Sequence, residues 1–106
     1  MAAEYIPDEA TLDSLLSSTP LVVMDCTASW CGPCKLVAPL MDQLSDEFGD
    51  QATVVKLDID NNKSVAKRFG IKSIPAVLFF KQGEHVDTVI GAKPYGEFQQ
   101  TLTNHL

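Results

Sequence analysis

Apolar and polar positions divide this chain into short apolar runs separated by stretches of helical periodicity. Leu21 to Thr27 is a continuous apolar run with a single acid, Asp25, inside it. That is the pattern of a strand covered on both faces, so Asp25 is expected to be buried. Ahead of it, Tyr5-Ile6-Pro7 reads as a short lead. Asp8 then stands where it can cap a helix whose Leu12, Leu15 and Leu16 fall at i, i+3 and i+4. Ser17-Ser18-Thr19-Pro20 ends that helix.

From about Cys31 onward, Val37, Leu40, Met41, Leu44 and Phe48 recur at helical spacing and Gly49 supplies a stop. Pro39 falls inside this helix and is expected to bend it, because it cannot donate to the carbonyl of Lys35. Thr53 to Ile59 is β-branched and apolar enough for a second buried strand. Asn61 or Asn62 follows as the cap of a short helix that turns Val65, Ala66 and Phe69 inward and stops at Gly70. Ala76 to Phe80, a turn at Gln82-Gly83, and Glu84 to Ile90 read as an antiparallel hairpin. Pro94 opens a last amphipathic helix with Tyr95, Phe98 and Leu102 as its inward stripe. Helices and strands alternate, then a hairpin and a helix follow. That order predicts an α/β fold, a central mixed β-sheet flanked by helices on both faces, in one domain over residues 1–106.

Composition narrows the function. The 106 residues include 14 Asp and Glu against 8 Lys and Arg, a net charge of −6 that argues against a surface built to neutralise phosphates. Nucleic acid is therefore not an expected partner. No run approaches a membrane-spanning length, and Met1 to Tyr5 has no basic segment leading into an apolar one, so neither a membrane nor an export signal is expected. Two of the three cysteines sit in one tight motif and Cys26 is left over. That distribution points to redox or metal chemistry and away from a secreted disulfide framework.

The motif is Trp30-Cys31-Gly32-Pro33-Cys34-Lys35, placed after a strand and at a helix start. Residues i and i+3 share one face there, so Cys31 and Cys34 are close enough to form a disulfide without moving the backbone. Unpaired N–H groups and the helix dipole favour a thiolate at Cys31, the expected nucleophile. Cys34, one turn further in, is the expected resolving thiol. Gly32-Pro33 keeps the ring between the sulfurs small and stiff. The competing reading, half of a zinc site, needs two more ligands, and only Cys26, His85 and His105 are on offer, none at finger-like spacing. Asp25 has two readings, a buried structural acid or a proton acceptor for the second thiol. Pro75 can simply start a strand, and Trp30 can simply fill a core. Cys26 alternates away from Asp25 and reads as a small core residue. The two histidines read as solvated.

With these residues in view, the chain resembles the thioredoxin family along nearly its whole length. The resemblance rests on Asp25 ahead of Trp30-Cys31-Gly32-Pro33-Cys34-Lys35, Pro39 within the helix, Ile74-Pro75 before a strand, and Gly91-Ala92 before the last helix. It implies the thioredoxin fold and a protein-disulfide reductase that acts through a mixed disulfide at Cys31, resolved by Cys34. It also implies that Asp25 assists Cys34, that Lys56 lies near this acid, and that the Ile74-Pro75 bond is cis. Ile74 would then pair with an extended substrate segment, and Trp30, Ile74, Pro75, Gly91 and Ala92 would form the docking surface. Family members with Gly-Pro between the cysteines are reducing proteins, which sets an oxidase or isomerase second. A binding module using the apolar patch without turnover is the alternative of a different class. The resemblance further implies disulfide-containing targets, a flavin- or ferredoxin-dependent thioredoxin reductase, no metal and no bound cofactor. A monomer in the cytoplasm, or in another reducing compartment such as a plastid stroma, completes the expectation. One departure stands out: thioredoxins commonly carry aromatics straight after the buried acid, where this chain has Cys26-Thr27.

Overall fold

In the computed structural model, which describes residues 2–106, the elements run β1 (Glu4–Ile6), α1 (Glu9–Ser18), β2 (Leu21–Thr27), α2 (Gly32–Phe48), β3 (Thr53–Asp58), α3 (Lys63–Arg68), β4 (Ala76–Lys81), β5 (Glu84–Ile90) and α4 (Tyr95–Thr103). The strands form one sheet in the order β1-β3-β2-β4-β5. β3 runs parallel to both β1 and β2, whereas β4 is antiparallel to β2 and to β5. The central strand β2 is buried at every position, as its unbroken apolar run requires.

Alternation along β2 divides the core in two. Leu21 and Val23 join Val37, Met41, Leu44 and Phe48 of α2 and Phe98 and Leu102 of α4. Val22, Met24 and Cys26 point the other way and pack with Leu12 and Leu16 of α1 and Val65 of α3. Helices therefore cover both faces, and Asp25 follows Val23 on the face under α2. At the hairpin, Gln82 and Gly83 both take positive φ, 52° and 80°. This two-residue turn matches the twist of its strands, and its second position suits glycine.

Three local expectations change. The stretch expected as a lead contains a strand, β1, paired in parallel with Val55 to Leu57. Only Ile6 of its three residues is even partly buried, so no apolar alternation announces it. Asn62 occupies the N-cap position of α3, yet its side chain does not cap the helix. Its amide donates instead to the carbonyls of Pro7 (3.2 Å) and Asp58 (2.9 Å), tying the end of β3 to the turn before α1. His85 is exposed, as expected, whereas His105 is partly buried. His105 Nε2 meets Asp87 Oδ2 at 3.0 Å, and His85 packs against Phe69 and Phe80 with Nε2 2.6 Å from Thr88 Oγ1.

Asp8 does cap α1, accepting the Thr11 N–H at 2.9 Å, and α2 runs on through Pro39 to Phe48.

Candidate active site

β2 ends at Thr27, and Ala28 to Trp30 carry the chain from the carboxyl end of that strand to the start of α2. Cys31 is the N-cap residue, in extended conformation, and its Sγ accepts the backbone N–H of Cys34 at 3.2 Å. One of the donors that a helix start leaves unpaired thus points at this sulfur, which favours its ionised form once reduced. Pro33 sits in the first turn, where its missing N–H leaves no bond unmade. Cys31 and Cys34 are joined by a disulfide, with Cα atoms 5.3 Å apart. Their exposures are 4% and 2%, so accessibility barely distinguishes them. What differs is position, one sulfur at the helix mouth and the other a turn inside.

Loops from far along the chain close around the sulfurs. The Ile74–Pro75 bond is cis, and Ile74 packs against the cluster of Ala28, Cys31 and Cys34. Pro75 is buried and its carbonyl accepts the Gly91 N–H at 2.8 Å, which brings the third loop alongside. Gly91 has φ of 96°, a conformation in which any side chain would be strained. Ala92 is exposed. Trp30 does not fill a core. It is 70% exposed, and its Nε1 donates to Asp60 Oδ2 at 2.6 Å. A tryptophan tethered by its polar edge leaves its apolar ring open at the surface beside Cys31. Asp60 is itself fixed in the turn after β3, where Asp58 Oδ1 accepts its N–H at 2.8 Å.

Asp25, on the face of β2 that lies under α2, is fully buried, with neither carboxylate oxygen hydrogen-bonded. Burial raises its pKa to about 7, against an opposing pull from Lys56. Lys56 is its register partner on β3 and is itself 7% exposed. The lysine does not bond to Asp25. Its Nζ meets Asp42 Oδ1 of α2 at 3.1 Å and lies over the Tyr5 ring, 5.8 Å from the centroid. A cleft of 360 Å³ reaches Cys34 from the side of Tyr5, Thr27 and Asp58.

Cys26 is on the other face of β2, buried in the cluster with Leu57 and Ala76. Burial, with the neighbouring Asp25 charge, pushes its thiol up to about 12, so it stays protonated and unreactive at neutral pH. No group of three or more His, Cys, Asp or Glu among the described residues is arranged to hold a metal ion. Two side chains that bear on the site escaped the reading of the sequence. Asp60 belongs to the polar run Asp58-Ile59-Asp60-Asn61-Asn62, a recognisable turn, but nothing in that run couples it to Trp30. Asp42 is one of several acids on the outer side of α2, and no local signal marks it.

A model of the Thioredoxin family matches residues 5–104. Among curated proteins, Thioredoxin 1 of Synechococcus elongatus is 43% identical over 104 residues, covering 98% of this chain and 97% of its own. Thioredoxin 1 of a Nostoc species is 41% identical over 105 residues, covering 99% and 98%. Among solved structures, Malassezia sympodialis thioredoxin superposes with a TM-score of 0.90 at 34% identity, covering 98% of this chain and 90% of its own. Reduced Schistosoma mansoni thioredoxin pre-protein gives 0.90 at 32% identity with both chains fully covered. A cysteine pair at a helix mouth on this sheet, with relatives of such identity along the whole length, leads to one conclusion: the chain belongs to the thioredoxin family of thiol-disulfide oxidoreductases.

Proposed function

We propose that the protein, acting as a single domain, reduces disulfides of target proteins with Cys31 as nucleophile, Cys34 as resolving thiol and Asp25 as proton acceptor. The Cys31 thiolate attacks one sulfur of the target disulfide and forms a mixed disulfide, and the other target sulfur leaves as a thiolate. Asp25 then takes the Cys34 proton, and the new thiolate displaces the target's second sulfur. The Cys31–Cys34 disulfide forms as the target departs with both sulfurs reduced. A thioredoxin reductase, flavin- or ferredoxin-dependent, returns two electrons to the pair, so the protein acts as an electron carrier. No bound cofactor is needed.

The observation that carries the reading is the Cys34 N–H directed at Cys31 Sγ, together with an unpartnered acid buried under the same helix. Trp30, Ile74, Pro75, Gly91 and Ala92 serve as the docking surface, with the free backbone of Ile74 available to an extended target segment. Gly32 and Pro33 hold the sulfurs in place in both redox states. Among the described residues, no helix is long and apolar enough to cross a membrane. A monomer working in a reducing compartment, the cytoplasm or a plastid stroma, suits a pair that must be recharged.

The direct test is a Cys34→Ser variant, reduced and mixed with a disulfide protein. Accumulation of a mixed disulfide at Cys31 is expected, and its absence would favour a binding module without turnover. For Asp25, general-base assistance predicts that Asp25→Asn slows resolution about tenfold or more at pH 7. The wild-type rate should rise with pH through about 7, as the acid ionises, and the variant should lack that rise. Identical profiles from pH 6 to 8 would sink the assignment.

A further inference from the structure

We propose that Asp42 is a positioning residue that sets the proton affinity of Asp25 by keeping the Lys56 ammonium engaged away from it. The inference rests on the reading of Asp25 as the acceptor of the Cys34 proton, and it adds a residue on α2 to that site.

Alternation places Lys56 on the same sheet face as Val54, and Asp25 on the same face as Val23, both under α2. A buried ammonium whose register partner is a buried carboxyl would ordinarily bond to it, since opposite charges attract most strongly away from water. Here the two are neighbours without a hydrogen bond. Both Asp25 oxygens lack a partner, while Lys56 Nζ is 3.1 Å from Asp42 Oδ1. The same Asp42 oxygen accepts the Ala3 N–H at 3.0 Å, so the lead into β1 helps to fix the carboxylate in place.

The asymmetry has a physical reason. The Asp42 side chain is 41% exposed and that of Lys56 9%. Asp42 remains partly hydrated and has donors that compensate its charge, whereas Asp25 is fully buried with none. Burial is the largest single influence on Asp42 and raises it, but the hydrogen bonds from Lys56 and Ala3 and the Lys56 charge together outweigh it and hold its carboxyl below the usual range. It is therefore ionised wherever Asp25 titrates. The lysine is neutralised from its solvent side, and Asp25 keeps only part of the attraction that an unpaired ammonium would exert.

The other groups on this face do not replace Asp42. Asp58, two residues along β3, has one oxygen occupied by the N–H groups of Asp60 and Asn61. Tyr5 of β1 presents its ring to Lys56. From α2 the remaining titratable group of the buried stripe is Cys34, which is the proton donor. β4 contributes Val77 and α4 contributes Phe98 and Leu102, none of them titratable. Cys26 points to the opposite face.

Asp42→Asn keeps an oxygen for the Ala3 N–H and removes the charge. The test follows the Asp25 carboxyl by carbon chemical shift in the folded protein, alongside the pH profile of target reduction. In Asp42→Asn the Asp25 midpoint is expected to fall by about one pH unit, and Asp42→Glu should restore it. In a Lys56→Met background, Asp42→Asn should leave the midpoint unmoved, because the lysine is the means by which Asp42 acts. An unchanged midpoint in Asp42→Asn, or an equal fall without Lys56, would overturn the proposal. If the midpoint falls while the reduction profile stays in place, the influence of Asp42 stands and the role of Asp25 as acceptor is what fails.

Discussion

Asparagine in place of Asp25 is expected to stabilise the oxidised fold by about 4 kcal/mol more at pH 8 than at pH 4. The sign follows from linkage. The carboxyl titrates at 3.8 in its ordinary setting and at about 7 here, because burial opposes its ionised form. A raised native pKa means that the folded state binds the proton more tightly than the unfolded one. Below about pH 4 both states are protonated and the acid exerts no penalty. As pH rises the unfolded chain ionises first, so stability falls until the native acid has also ionised, above about 7. Asparagine does not titrate and removes this loss. It also buries an amide without partners, but that cost is constant with pH and cancels in the difference. Denaturant titrations at pH 4, 6 and 8 measure it. A parallel offset between the two proteins at all three values would show that Asp25 is not perturbed.

The other large effect concerns the sulfurs. Cys31→Ser is expected to lower target reduction roughly 10³-fold or more, because a hydroxyl neither ionises near neutrality nor forms a mixed disulfide. Cys26→Ala should leave the rate within about twofold, since that thiol faces the opposite core and burial holds it protonated. Rates of disulfide reduction with excess reductant measure both. Comparable losses from the two substitutions would mean that the third cysteine takes part in the exchange.

Much of this was legible in the residues themselves. The apolar run around Asp25 required a strand covered on both faces, and helices on both sides of the sheet followed from it. The elements that went unread are those whose stabilisation is not local. β1 buries little and exists because Glu4 to Ile6 lie against the open edge of β3. The side chain of Asn62 gave up capping for two carbonyls, one of them 55 residues away. The site divides along the same line. Cys31 and Cys34 are three residues apart, so their relation is fixed by helix geometry. The bond from Trp30 to Asp60 and the ion pair from Lys56 to Asp42 join residues 30 and 14 positions apart. No spacing rule reaches across such a distance, and only the register of β2 with β3 and the seat of α2 bring those groups together.

Ile74 packs against Cys31 and Cys34, the Gly91 N–H reaches the Pro75 carbonyl, and the exposed Trp30 immediately precedes Cys31. On the docking surface proposed above, a target protein and the recharging reductase would use the same berth, one after the other. Such a carrier works by hit and run. Its throughput is limited by how soon each visitor leaves, so a target that bound the patch tightly would act as an inhibitor of all the others.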